Sequence, residues 1–173
     1  MIRLVTAVAA CAALLPQAPQ DASQDAARER IAAAVAATGL SHEKSASGLS
    51  CVVPFEHGGD RRQSVFVAIA PGTAGPRTTH LVYTTVWIGK EPPDDAQMRK
   101  VFTQSKKFGA FYLFADPKGS WSIRFGAQLD VTAMPARPSK DDPGVVALRG
   151  LIEFVNVVGE EMDVQLNGGR DLR

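Results

Sequence analysis

The sequence predicts an α+β fold, an antiparallel β-sheet packed by an N-terminal, a middle and a C-terminal helix in the order α-βββ-α-βββ-α. Three observations carry that expectation. Stretches such as 64–70 and 80–88 are rich in branched and aromatic residues and alternate with a period of two, which suits strands. Stretches such as 23–38 and 143–163 instead place apolar residues at helical spacing. Between two extended runs, Asp116-Pro117-Lys118-Gly119 has the composition of a tight hairpin turn.

At the N-terminus, Met1-Ile2-Arg3 supplies one positive charge, Leu4 to Leu15 runs apolar, and Pro16-Gln17-Ala18 breaks the run with small and polar residues. That is the order of a secretory signal peptide over 1–18, with Ala18 or Ala22 at the cleavage point. A helix of that apolar length rises only about 18 Å against a hydrocarbon core of about 30 Å, so no membrane span is expected. A second reading is a structural envelope lipoprotein anchored at Cys11, which follows the small residues Val8-Ala9-Ala10. The expected location is periplasmic or secreted.

Removal of the signal leaves about 155 residues, one domain's worth, enough to bury roughly two-thirds of the unfolded chain's surface. The full chain has 19 Lys and Arg against 18 Asp and Glu. Losing Arg3 brings it to balance, so there is no long-range pull toward nucleic acid. Cleavage also removes Cys11 and leaves Cys51 alone, which excludes an internal disulfide.

Residues 19–26 read as a flexible leader, 27–166 as a single domain and 167–173 as a frayed tail. The first helix spans about Ser23 to Thr38, with Ile31, Val35 and Thr38 near one face and Gly39 as its stop. Leu49, Cys51 and Val53 alternate in a short strand that Pro54 is expected to close, and His57-Gly58-Gly59-Asp60 turns the chain. Ser64 to Ala70 follows as a strand with Val65, Val67 and Ile69 on one face, and Pro71 to Pro76 reads as loop. In the strand from His80 to Ile88, Leu81, Tyr83, Thr85 and Trp87 share one face and Val82, Thr84, Val86 and Ile88 the other. Both faces are expected to be at least partly covered.

Asp94-Asp95 caps a short middle helix carrying Met98, Val101, Phe102 and Ser105, with Lys106-Lys107 suiting the negative end of its dipole. Gly109 frees the chain for the run from Ala110 to Ala115, which returns as Trp121 to Phe125 with Trp121, Ile123 and Phe125 inward and Ser122 and Arg124 outward. After a charged linker over 135–142, Asp142 caps and Pro143 opens a closing helix that carries Leu148, Leu151, Ile152, Val155, Val158 and Met162 on one face.

Reactive constellations are scarce. A thiol-dependent enzyme would use Cys51 with His80 or His57 as base, but no acid or amide is spaced to orient either imidazole, and a cysteine inside a strand is most simply a small buried apolar residue. His42, His57, His80 and Asp60 match no metal-ligand spacing, and the glycines of 72–75 form no phosphate-cradling pattern. No catalytic residue, cofactor or metal is therefore assigned. Export and a neutral balance oppose nucleic-acid binding through Arg61-Arg62 or Lys106-Lys107.

The segment Lys106-Lys107-Phe108-Gly109-Ala110-Phe111-Tyr112-Leu113, joining the middle helix to the hairpin, resembles the YbjN-like family, in which a basic-aromatic-glycine turn precedes an aromatic-leucine strand. The likeness runs from about Ser64 to Met162. It implies the type III secretion chaperone-like fold, often a homodimer, with regulatory or chaperone-like protein binding and no catalytic residues to carry over. The expected function is thus an exported, non-enzymatic protein-binding module. Its expected surface is the sheet face and the groove beside the middle helix, with Lys107, Phe108, Tyr112 and Trp121 as the binding residues.

Overall fold

A computed structural model of the chain describes residues 22–58, 61–74, 77–104, 106 and 108–168. Residues 1–18, read from the sequence as a signal peptide, and Asp60, Ser105 and Lys107 lie outside the described residues, as does Cys11. Three helices and seven strands make up the fold: α1 (Ala22–Ala37), β1 (Glu43–Lys44), β2 (Ser50–His57), β3 (Arg61–Ala68), β4 (Gly72–Ala74), β5 (Arg77–Gly89), α2 (Asp95–Phe102), β6 (Ala110–Ala115), β7 (Trp121–Asp130) and α3 (Pro143–Asn167). Every strand pairing is antiparallel, in the order β1-β2-β3-β5-β7-β6 with β4 added beside β5. The α+β architecture read from the sequence is the one observed.

Several boundaries differ for physical reasons. The hairpin after α2 holds two strands rather than three, because β7 runs unbroken to Asp130 along β5. Pro54 does not end β2. It pairs with Ser64 on one side, while β1 reaches only Cys51 and Val52 on the other, so its missing N–H faces an open edge. Part of the expected loop at 71–76 forms β4 against Arg77–Thr79. In β5 a bulge between Thr85 and Trp87 turns Trp87 toward the core and leaves Ile88 exposed. Asp142 sits at the N-cap of α3, where its carbonyl accepts from the Val145 and Val146 N–H groups but its side chain does not cap the helix; the carboxylate accepts from the Ser139 N–H behind it. Asp94, by contrast, forms a full capping box with Gln97.

The core lies between one face of the sheet and the helices. From the strands it takes Cys51, Val53, Val65, Val67, Val82, Val86, Ile123 and Phe125, and from the helices Ile31, Val35, Leu148, Ile152, Val155 and Met162. α3 crosses β3, β5 and β7, and α1 packs along one flank of α3. The helix comes closest to the sheet at Gly159, where a Cβ would lie 2.5 Å from Thr84 Cγ2 and 3.0 Å from Gln63 Nε2. Beneath that glycine Gln63 donates to Thr84 Oγ1, and Thr84 donates to the Ser64 carbonyl at 2.8 Å. The opposite face, with Val52, Phe66, Tyr83, Tyr112, Phe114 and Arg124, is half-buried among its own side chains. Both faces of β5 are thus at least partly covered, as expected, but by different means: the helices pack on the valine face, and the tyrosine face is half-buried by neighbouring side chains. Among the described residues no helix is long and apolar enough to cross a membrane.

Candidate functional site

Where β6 begins, the sheet loses its outermost strand. β6 pairs with β7 from Trp121 to Gly126, so among the described residues Ala127 to Asp130 keep β5 on one side and have no strand on the other. Gly109 sets this limit. Its φ of 99° turns the incoming chain, and a Cβ there would lie 2.7 Å from Phe125 Cζ and 2.8 Å from the Gly126 carbonyl oxygen. The chain therefore arrives pressed onto β7 and cannot extend β6 backwards.

Over the exposed edge stands the flank of α3 that α1 leaves free. Ala147, Gly150, Leu151 and Phe154 lie at helical spacing and form one wall, Gly126 to Leu129 form the floor, and Phe108, Ala110 and Tyr112 close the end. The result is an open groove of about 960 Å³, at the upper end of the range for ligand sites. Its width comes from two small helical residues, Ala147 and Gly150, and its rigidity from a run of rings. Phe108 meets Phe154 edge-on at 6.5 Å, Phe154 meets Phe125 at 5.8 Å, and Phe125 meets Phe111 at 4.9 Å. Phe108 stands on the rim, 61 % exposed. Across Gly109 and Ala110 a smaller hollow of about 280 Å³ lies against Phe102, Gln104 and Lys106, beside α2.

Two of the four residues expected to bind, Phe108 and Tyr112, come together in the larger groove, which lies beside α3 and not beside the middle helix. Trp121 sits at the far end of β7 opposite Gly89 and Ala115 and lines neither hollow. Sequence reasoning missed Ala147, Gly150, Phe154 and Leu129, and it placed Leu151 with the core face. The available signal was the breadth of the apolar arc on α3: Leu151 and Phe154 widen it beyond what one sheet contact consumes.

The reactive candidates stay apart. Cys51 is buried on β2, with burial pushing its thiol pKa up against a smaller opposing effect of Lys44. His80 lies on β5, beyond β3, and no hydrogen bond joins the two. The His80 Nδ1 donates to the Ala68 carbonyl at 2.9 Å, leaving Nε2 buried without a partner. Burial holds its pKa below the ordinary histidine value, the backbone bond only partly offsetting it. His42 faces the Leu40 carbonyl. His57 lies 3.1 Å from Asn156 Oδ1 and 3.8 Å from Glu160, whose carboxylate is gripped by Arg61 at 2.6 Å, tying the β2–β3 hairpin to α3. Among the described residues no three His, Cys, Asp or Glu gather as metal ligands.

No protein-family model matches the chain, and no curated protein matches it.

Proposed function

We propose that the chain is an exported, non-enzymatic module that binds an extended apolar segment of a partner protein in the groove between α3 and the free edge of β7. The observation that carries this reading is the coincidence of two needs in one place. Ala127 to Asp130 form an open strand edge about 13 Å long, and alternate residues along it turn N–H and C=O outward with no strand to receive them. Directly beside it stand Leu151, Phe154 and Phe108, which an extended chain would cover. A strand added there continues the line of β6, supplies the missing ladder and buries alternate side chains against α3. The separation of Cys51 from His80 gives a thiol mechanism no geometry to work with. The likeness to the YbjN-like family points toward protein binding as well, and the groove argument does not depend on it.

The test uses a permanently unfolded, reduced and alkylated polypeptide as client. Leu151→Glu places a charge on the groove wall at a partly exposed position, so the fold should survive it. The expected result is suppression of client aggregation by the wild-type protein, its loss in the variant, and slowed amide exchange at 127–130 when client is present. Slowed exchange elsewhere with 127–130 unchanged would overturn the assignment of the groove.

A further inference from the structure

On the helix-free face of the sheet, the positive charge of Arg124 has no carboxylate within ion-pair distance among the described residues. Among the charged side chains of its strands, Arg62 pairs with Glu56 and Arg77 pairs with Asp130, each across neighbouring strands. Arg124, at the centre of the face on β7, makes no ion pair among the described residues. Its surroundings fix the guanidinium in place. The plane lies 3.8 Å from the centroid of the Phe114 ring and 5.2 Å from that of Tyr83, and Nε donates to the Ser122 hydroxyl at 3.2 Å. Tyr83 is itself stacked on Phe66 at 5.1 Å. With Nε engaged and Cζ lying over two rings, the terminal nitrogens of Arg124 are the remaining donors, and a guanidinium held this way suits a two-oxygen acceptor.

Tyr112 adds a second polar group. It lies directly opposite Arg124 in the β6–β7 register, and its buried hydroxyl has only that guanidinium, itself a donor, beside it, so the O–H finds no acceptor. Burial pushes its pKa up to about 12, the Arg124 charge offsetting only part of the effect, so the phenol remains a donor at any physiological pH. A half-buried cation without a counter-ion, a donor without an acceptor and three flanking rings are together costly to leave unused.

We propose that this face is a carboxylate-binding site centred on Arg124, with Tyr112 as a second donor and Phe66, Tyr83 and Phe114 receiving a flat apolar body attached to the carboxylate. A single fixed positive charge matches a monoanion better than a phosphate dianion, and the rings select an acid that carries an aromatic group. Because the Tyr112 hydroxyl is buried beside the guanidinium, it reaches the anion only once the Arg124 side chain shifts. Such an acid can be a free small molecule or the C-terminal aromatic residue of a peptide. The site shares Tyr112 with the groove but is centred outside it, since Arg124 does not line the groove.

The experiment titrates the intact protein, followed by nitrogen-edited NMR, with phenylacetate, phenylacetamide, inorganic phosphate, and an acetylated Gly-Gly-Phe tripeptide as free acid and as amide. Both acids should shift the amides around Arg124 and bind at least about tenfold more tightly than their neutral amides, as a charge-assisted pair requires. Arg124→Gln should remove that preference, Arg124→Lys should retain only part of it, and Tyr112→Phe should weaken both acids a few-fold. Leu151→Glu should leave acid binding intact, which separates this site from the groove. Tighter binding of the tripeptide acid than of phenylacetate names a chain terminus as the natural ligand, and the reverse names a free small acid. Amides that bind as well as acids, phosphate that binds more tightly than either acid, or acid binding unchanged in Arg124→Gln and Arg124→Lys would overturn the proposal.

Discussion

Replacing Gly159 with alanine tests whether α3 really rests on the sheet where the packing says it does. Alanine should stabilise a helix interior by about 1 kcal/mol relative to glycine if nothing stands in the way. Here the new methyl would lie 2.5 Å from Thr84 Cγ2 and 3.0 Å from Gln63 Nε2. Forcing it in costs about 1–3 kcal/mol of overpacking, and displacing the buried Gln63 amide from Thr84 costs about 1–3 kcal/mol more. The net expectation is a loss of about 1–5 kcal/mol, or a fall in Tm of roughly 2–4 °C for each kcal/mol in a domain of this size. The same substitution at Gly150, where a Cβ meets nothing within 4 Å, should raise stability by up to about 1 kcal/mol. Thermal unfolding followed by circular dichroism measures both. One substitution with opposite signs about two and a half turns apart on one helix is hard to obtain except from this packing. Gly159→Ala melting at or above the wild-type temperature would refute it.

Two further outcomes follow from buried groups. His80 has a folded pKa below its unfolded value, so as pH falls below about 6.5 the unfolded chain takes up the proton first and stability declines, by at most about 1.4 kcal/mol per pH unit. Above that range the contribution is constant. Urea midpoints measured from pH 7.5 downward in wild type and His80→Gln should diverge only on the acid side, and parallel profiles would count against it. The Cys51 thiol, buried and shifted upward, should react slowly with a thiol reagent in the native protein and fast in denaturant. Rapid native labelling would restore the case for a thiol enzyme.

The proposed activities use different surfaces of the same sheet. The groove exists because β6 is shorter than β7, and the Arg124 site exists because the helices are confined to the other face. Tyr112 is the one residue that touches both, lining the groove while its hydroxyl lies beside Arg124.

Local chemistry determined much of this protein from the sequence alone. The alternation at Val65, Val67, Ile123 and Phe125, the helical spacing from Leu148 to Met162, the Asp116–Gly119 turn and the Asp94 cap all act within a few residues of themselves, and all appear as expected. What spacing cannot express is how far neighbouring elements overlap. That β6 stops four residues short of β7's end follows from Gly109 pressing on Phe125, a contact between distant positions. Likewise the bulge after Thr85, the burial of an unpartnered His80 nitrogen, and the isolation of Arg124 among paired charges depend on which strands became neighbours. Periodicity assigns a residue to a face, and only tertiary packing decides whether that face is covered.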